Sequence, residues 1–199
     1  MIDANVNTGA PSIGEILVLY YSRHGATEQM ARLAARGVSE AGGSAMLRTV
    51  AEFDGSTNSQ AAIVSLEELS GCAGLILASP TRFGSMAAPL KAFFERSTGL
   101  WLNGALVGKP AGAITSTGSM HGGQESTLLG MLLPLLHHGM ILVGLPYTEP
   151  ALSRTETGGT PYGASHLAGN DGRNPISADE RELARALGKR VAQIALKLQ

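Results

Sequence analysis

Residues 16–27 read Ile16-Leu17-Val18-Leu19-Tyr20-Tyr21 followed by Ser22-Arg23-His24-Gly25-Ala26-Thr27, and this stretch decides the fold class. The first half is a near-continuous apolar run, which is typical of a parallel strand that is covered on both faces. The second half is a loop of small and hydroxyl residues, and a helical pattern follows from Thr27 to Ala41. A strand, a polar loop and a helix in this order form the first half of a βαβ unit.

The loop from Ser22 to Thr27 is suited to a phosphate group. The N–H groups and the positive dipole end of the following helix would face the anion, and the loop hydroxyls would add hydrogen bonds. The loop lacks both the Gly-Lys-Ser/Thr ending of nucleoside-triphosphate loops and the G-x-G-x-x-G pattern of dinucleotide folds. A monophosphate on an otherwise apolar cofactor fits best, and this points to flavin mononucleotide (FMN). An ordinary turn capped by Thr27 is the alternative interpretation.

The rest of the chain continues to alternate between strand and helix patterns. Further strands are predicted at 45–50, 74–79, 111–116 and 140–144. Helices are predicted at 87–99 and 125–138, and capping boxes open two more at Ser65 and Ser177. The stretch 145–175 is rich in Gly, Pro and Thr, and its length predicts a functional loop. Five strands in this alternation predict an α/β fold with an open parallel sheet and right-handed crossovers.

Composition narrows the class of protein. The chain has 199 residues, and its 15 basic and 16 acidic residues nearly cancel. This balance argues against a nucleic-acid partner and weakens the case for an acidic electron shuttle. We expect a flexible tail over 1–13 without signal-peptide features, one domain over 14–199 and a cytoplasmic location. The apolar stretch 128–145 is interrupted by Pro134 and Gly139, so it predicts a buried segment and not a membrane span.

Three polar loops follow predicted strand ends and should meet at one edge of the sheet. Parallel sheets bind their ligands at this edge, where the strand order reverses. The second loop supplies backbone donors and an aromatic side chain for a flat flavin ring, and the third closes over the other end of the ring. Besides residues 22–27, the loop residues that we predict to bind the cofactor are Pro80, Thr81, Arg82, Phe83 and Gly84 in the second loop and Ser116, Thr117, Gly118, Ser119, Met120 and His121 in the third.

Other single residues allow more than one interpretation. Trp101, the only Trp, is either a packing residue or a wall against which a planar substrate stacks. His137 is either structural or a cationic partner of a reduced flavin. Cys72, the only Cys, is predicted to be a small filler residue. No metal site is predicted because the histidines lack ligand spacing. A hydrolase is disfavoured because no Gly-x-Ser-x-Gly elbow is present.

Several short motifs together resemble the WrbA-type NAD(P)H:quinone oxidoreductases, a flavodoxin-fold family. They occur in the family's order from Ile16 onward, although position 24 usually carries Tyr in that family and is His here. The matching stretches are Val18-Leu19-Tyr20-Tyr21-Ser22, Pro80-Thr81-Arg82-Phe83-Gly84, Gly99-Leu100-Trp101, Ser116-Thr117-Gly118, Gly122-Gly123-Gln124-Glu125, His137-His138-Gly139-Met140 and Gly158-Gly159-Thr160-Pro161-Tyr162-Gly163-Ala164.

The resemblance implies the strand order 2-1-3-4-5 and two-electron reduction of quinones by NADH or NADPH through FMN. It implies FMN contacts from the three loops and His137, a nicotinamide contact at His24 and a quinone contact at Trp101. It also implies a homotetramer, with the loop 158–164 near the active site and subunit contacts. The alternatives from other classes are a flavodoxin-like electron carrier and an interaction protein that binds no flavin.

Overall fold

A parallel sheet with helices on both faces forms the fold. The computed structural model describes residues 14–57 and 59–198, so the predicted tail at 1–13 lies outside the described residues. The strands are β1 (Glu15–Tyr20), β2 (Ser44–Thr49), β3 (Gly74–Pro80), β4 (Pro110–Thr117), β5 (Ile141–Leu142) and β6 (Ala164–Leu167). The helices are α1 (Ala26–Glu40), α2 (Leu66–Gly71), α3 (Ala88–Glu95), α4 (Thr98–Leu102), α5 (Gln124–His137), α6 (Pro150–Arg154) and α7 (Ala178–Lys197).

The strand order confirms the predicted arrangement. The sheet runs β2-β1-β3-β4-β5 with parallel pairing, and β6 also pairs with β4. The fifth position is therefore shared by two short segments. β5 lies opposite Pro110 and Ala111, whereas β6 lies opposite residues 114–117.

Two predicted elements near the fifth strand were wrong in extent. The strand predicted at 140–144 is only the pair Ile141–Leu142, and the loop predicted at 145–175 contains both α6 and β6. The four residues of β6 are too few to show a clear strand pattern among the surrounding Gly and Pro residues. Their pairing with β4 is a tertiary contact that local sequence does not encode.

The sheet is buried because helices cover both faces, which explains the continuous apolar runs. Every residue of β1, β3 and β4 is buried. α1 and α7 pack closely on one face, where a Cβ on Gly188 would lie 2.0 Å from the carbonyl oxygen of Ala34. Only glycine permits this approach of the two helix backbones. On the other face, side chains from α3 and α5 pack against β3 and β4.

The helix predicted at 87–99 was also wrong, because it divides into α3 and α4. The break lies at Arg96 and Ser97, where the Ser97 hydroxyl donates to the carbonyl of Phe94 at 2.6 Å. A local side-chain bond of this kind competes with the helical backbone. α5, in contrast, runs through Pro134 to His137. No helix within the described ranges is long and apolar enough to span a bilayer.

Cys72 has the structural role that the sequence predicts. The residue is 1% exposed at the end of α2, and burial raises the pKa of its thiol to about 11. A thiol held in its protonated form is a poor nucleophile.

Candidate functional site

A cavity of about 250 Å³ opens at the carboxyl ends of β1, β3, β4 and β6. It brings together members of all three predicted loops, as expected for the edge where parallel strands end. Its lining residues are Ser22, Arg23, His24, Ala26, Thr27, Pro80, Thr81, Arg82, Ser116, Thr117, Gly118, Ala168, Gly169, Asn170, Asp171 and Gly172.

The first loop presents unpaired helix donors to this cavity. Gly25 precedes α1 with φ 89°, a left-handed conformation that favours glycine, and its N–H donates to the Ser22 hydroxyl at 3.1 Å. No side chain among the described residues caps α1, which leaves the N–H groups of its first turn for an anion. The side chain of Thr27 lines the cavity within that turn although the residue is only 2% exposed.

The second loop is held to its neighbours by hydrogen bonds and carries a strained aromatic residue. The Thr81 N–H donates to the carbonyl of Ser116 at 2.9 Å, and the Thr81 and Thr127 hydroxyls lie 2.7 Å apart. Arg82 and Ser85 close a tight turn in which Phe83 has φ 52°. A non-glycine residue in this region stores strain, and such strain concentrates at functional sites. The Phe83 ring is fully exposed, so packing does not explain its presence.

The third loop is ordered by hydrogen bonds at both ends. The Thr117 hydroxyl donates to the carbonyl of Ser119 at 2.6 Å, and the His121 N–H donates to the buried Gln124 side chain at 2.9 Å. His121 has φ 54°, and its ring lies 2.7 Å from the Glu125 carboxylate. The predicted residues of the three loops that do not line the cavity are Gly25, Phe83, Gly84, Ser119, Met120 and His121.

Sequence reasoning missed one wall of the cavity, formed by residues 168–172. This wall follows β6, and Ala168 fixes its start by donating to the carbonyl of Thr117 at 2.8 Å. Asn170 and Asp171 lie between Gly169 and Gly172, both of which have positive φ. A strand pattern at β6 would place these residues at the edge where the other loops meet, but the composition of 145–175 predicts a loop.

A buried carboxylate holds this wall in place. Glu180, in the first turn of α7, is 1% exposed and accepts hydrogen bonds from the N–H groups of Gly158, Leu167 and Ser177 and from His166 Nδ1. Burial alone would raise the pKa of Glu180, but the bonds from His166, Leu167 and Ser177 outweigh it and lower that pKa to about 2. The carboxylate therefore stays ionised, tying the segment before β6, β6 itself and α7 together.

Trp101 and His137 lie elsewhere. They line a second cavity of about 360 Å³ between α3, α4 and the end of α5, and the two cavities share no lining residue. The Trp101 indole N–H donates to the backbone carbonyl of His137 at 2.9 Å. The expectation that these residues join the three loops in one site is therefore not met within a single chain.

The donors around the first cavity fit the phosphate end of FMN. An uncapped helix N-terminus, the hydroxyls of Ser22 and Thr27 and the cationic Arg23 and Arg82 all border the same space. Asp171 is the one carboxylate among the lining residues. Among residues 14–57 and 59–198, no three His, Cys, Asp or Glu side chains cluster in a way that would hold a metal ion.

Comparison with known proteins points in the same direction. The family model described as NADPH-dependent FMN reductase matches residues 15–148. An NAD(P)H dehydrogenase (quinone) from Gluconacetobacter diazotrophicus is 43% identical over 195 residues, covering 92% of this chain and 98% of that protein. The crystal structure of a WrbA-like flavodoxin from Agrobacterium tumefaciens has a TM-score of 0.68 at 22% identity, covering 94% of this chain and 99% of that one. A flavodoxin from the domain Archaea has a TM-score of 0.64 at 17% identity, covering 92% and 99%.

Proposed function

The chain belongs to the NADPH-dependent FMN reductase family, and from this premise we propose that it is an FMN-dependent NAD(P)H:quinone oxidoreductase. The observation that carries the proposal is the cavity at the strand ends, where the uncapped N-terminus of α1 meets the hydroxyls of Ser22 and Thr27. The name of the relative from Gluconacetobacter diazotrophicus, which matches over almost its whole length, supports the same activity.

The first loop binds the FMN phosphate. The first-turn N–H groups of α1 and the Thr27 hydroxyl donate to its oxygens, and Arg23 contributes positive charge. The second and third loops hold the ring system through backbone groups and the exposed Phe83. The proposed cofactor residues are Ser22, Arg23, His24, Gly25, Ala26, Thr27, Pro80, Thr81, Arg82, Phe83, Gly84, Ser116, Thr117, Gly118, Ser119, Met120, His121 and His137.

When bound, FMN supplies two-electron chemistry, taking hydride from a reduced nicotinamide and passing both electrons to a quinone. The chain itself binds and orients the reactants, and it forms no covalent bond with them. His24, within the phosphate loop, borders the cavity. We assign the nicotinamide contact to this side chain. The nicotinamide and the quinone occupy the same space in turn, which gives a ping-pong cycle.

Self-association completes the site. Trp101 and His137 line a cavity separate from the one at the strand ends, which we call the phosphate cradle. They therefore reach the flavin of a second copy and not that of their own chain. Exposed apolar side chains occur on the same helices, Leu102 on α4 at 71% exposure and Leu133 on α5 at 60%, and Val107 follows α4 at 65%. Apolar surface of this extent is typical of an interface between subunits. The assembly is a homotetramer, with the segment 158–164 among the subunit contacts, and the buried free thiol of Cys72 suits a cytoplasmic location.

Steady-state turnover of FMN-saturated protein with NADH or NADPH and benzoquinone tests the proposal. We expect flavin absorbance in the purified protein, quinone reduction without another protein, and parallel double-reciprocal lines when both substrates are varied. Turnover that requires a separate reductase would favour the electron carrier. A colourless protein that rejects added FMN would contradict flavin binding altogether.

A further inference from the structure

We infer that His138, acting through Ser97, is a positioning residue that holds Trp101 in the orientation needed for quinone binding. The inference rests on the proposed role of Trp101 at the substrate. His138 follows His137 in the His137-His138-Gly139-Met140 motif, which assigns no role to His138. The basis of the inference is a pair of hydrogen bonds that attach α4 to the end of α5.

The first bond joins Ser97 to His138. Ser97 is fully buried and His138 is 8% exposed, and the Ser97 hydroxyl lies 3.0 Å from His138 Nε2. The single hydroxyl proton of Ser97 is already donated to the carbonyl of Phe94 at 2.6 Å. Ser97 must therefore accept from His138, which places the ring proton on Nε2.

The unused ring nitrogen supports this assignment. His138 Nδ1 is buried and has no hydrogen-bond partner among the described residues, which is consistent with a nitrogen that carries no proton. Burial lowers the pKa of His138, and the neighbouring His137 lowers it further, which favours the neutral form of the ring. His138 thus offers one donor, and that donor is directed to Ser97.

Ser97 connects His138 to the backbone of Trp101. The N–H groups of Leu100 and Trp101 both donate to the carbonyl of Ser97, at 2.9 and 3.1 Å. Ser97 therefore accepts the first backbone hydrogen bonds of α4. At the other end of the indole, the Trp101 N–H donates to the carbonyl of His137. The backbone of Trp101 is therefore held through Ser97 and His138. Its indole ring is held by the hydrogen bond to the carbonyl of His137.

The single Trp makes this arrangement measurable without any turnover. In FMN-loaded protein labelled with ¹⁵N, the indole N–H gives one cross-peak, and its hydrogen-exchange rate reports on the bond to the carbonyl of His137. His138→Leu removes the donor to Ser97, whereas His138→Gln retains an N–H near the Nε2 position. Ser97→Ala removes the acceptor.

Ser70→Ala is the matched control. The Ser70 hydroxyl also donates to a carbonyl three residues earlier, that of Glu67 at 3.0 Å, and it lies on α2 away from Trp101. We expect His138→Leu and Ser97→Ala to speed indole exchange roughly three- to tenfold and to raise the quinone KM with little change in kcat, in proportion to the loss of one hydrogen bond. We expect His138→Gln to restore most of both values and Ser70→Ala to alter neither.

Two outcomes would overturn the inference. Unchanged indole exchange in His138→Leu and Ser97→Ala would show that the pair does not hold Trp101. Faster exchange with an unchanged quinone KM would show that the orientation of Trp101 by Ser97 and His138 has no part in substrate binding. A wild-type protein without quinone activity, or a Trp101→Ala variant with normal KM, would instead contradict the proposed function. Indole exchange would still test the link between His138, Ser97 and Trp101, because it does not depend on turnover.

Discussion

His166 Nδ1 and Glu180 Oε2 lie 2.9 Å apart, and both side chains are 1% exposed. A buried carboxylate is costly unless its oxygens accept hydrogen bonds, and Glu180 has backbone donors in addition to the ring. The pair fixes β6 against α7 and so determines where the wall 168–172 of the cradle begins.

Acid should weaken the fold through Glu180. The pKa of this carboxyl is lowered from its ordinary value of 4.5 to about 2, so its stabilisation is fully present above pH 4.5 and is lost as the pH falls toward 2. The shift corresponds to on the order of 3 kcal/mol. Urea unfolding at fixed FMN concentration should show Glu180→Gln less stable than wild type at pH 7, with the gap closing below pH 4.5. Glu182→Gln, on the exposed face of the same helix, is the control, and a gap independent of pH would contradict the assignment.

Thr27→Val should weaken FMN binding and leave riboflavin binding almost unchanged. The substitution keeps the shape of this buried side chain but removes a hydroxyl that we propose donates to the phosphate. A hydrogen bond to a charged group contributes about 1.5–3 kcal/mol, so the FMN dissociation constant should rise by at least roughly tenfold. Flavin fluorescence titration with both ligands measures the difference. Equal losses for FMN and riboflavin would place Thr27 away from the phosphate.

Trp101→Ala should raise the quinone KM more than it lowers stability. Trp101 is half exposed, so folding gains little from its ring, whereas stacking on a planar substrate contributes about 0.5–1.5 kcal/mol. The expected KM increase is roughly two- to twelvefold. Phe53→Ala removes another exposed aromatic ring in the loop after β2 and serves as the comparison. A large fall in melting temperature with normal KM would make Trp101 a packing residue.

Leu133→Glu should dissociate the oligomer. Leu133 lies on the exposed side of α5, at 60% exposure, and a charge there would be buried without a partner in the proposed interface. Light scattering after size exclusion should give a lower mass for this variant than for wild type, together with loss of quinone turnover. Leu196→Glu, on α7, should retain the wild-type mass. A monomeric wild-type protein with full activity would rule out a site completed by a second copy.

Phe83→Gly should lower FMN affinity without lowering the stability of the fold. Phe83 has φ 52° and a fully exposed ring, so glycine at this position would relieve about 1–2 kcal/mol of backbone strain without loss of packing. Thermal unfolding should show equal or greater stability, while FMN affinity falls because the aromatic edge is absent. Reduced stability with unchanged affinity would mean that the ring serves the fold.

The order of the strands' apolar runs and polar loops along the chain is visible in the sequence, so the parallel sheet and the loops at its edge could be predicted. The apolar run before Ser22 and the polar loop after it determine a buried strand and an open helix N-terminus, and the structure has both. The capping box at Ser177 likewise marks the start of α7, although its Glu180 gives no local sign of the contacts that it makes with β6.

The wrong prediction at the fifth strand depends on a contact between distant parts of the chain, since β6 is defined by its pairing with β4. The break between α3 and α4 has a local cause, the Ser97 hydroxyl that donates to the carbonyl of Phe94. The quinone contact at Trp101 stays a prediction. Trp101 lines a cavity apart from the three loops, since motif order along a chain does not determine which cavity a side chain lines.

The shared fifth position of the sheet makes the segment between β5 and β6 an excursion that is anchored to β4 at both ends. The chain leaves the edge of β4 opposite Ala111 and returns to it opposite Ile114, so the excursion begins and ends on nearly adjacent rungs. Val143, Leu145 and Ala151 in this segment are buried in the core, and the Gly158 N–H donates to Glu180. Variation within the segment is therefore confined to exposed positions such as Tyr147, where a new side chain changes the surface of the protein and leaves the sheet edge as it is.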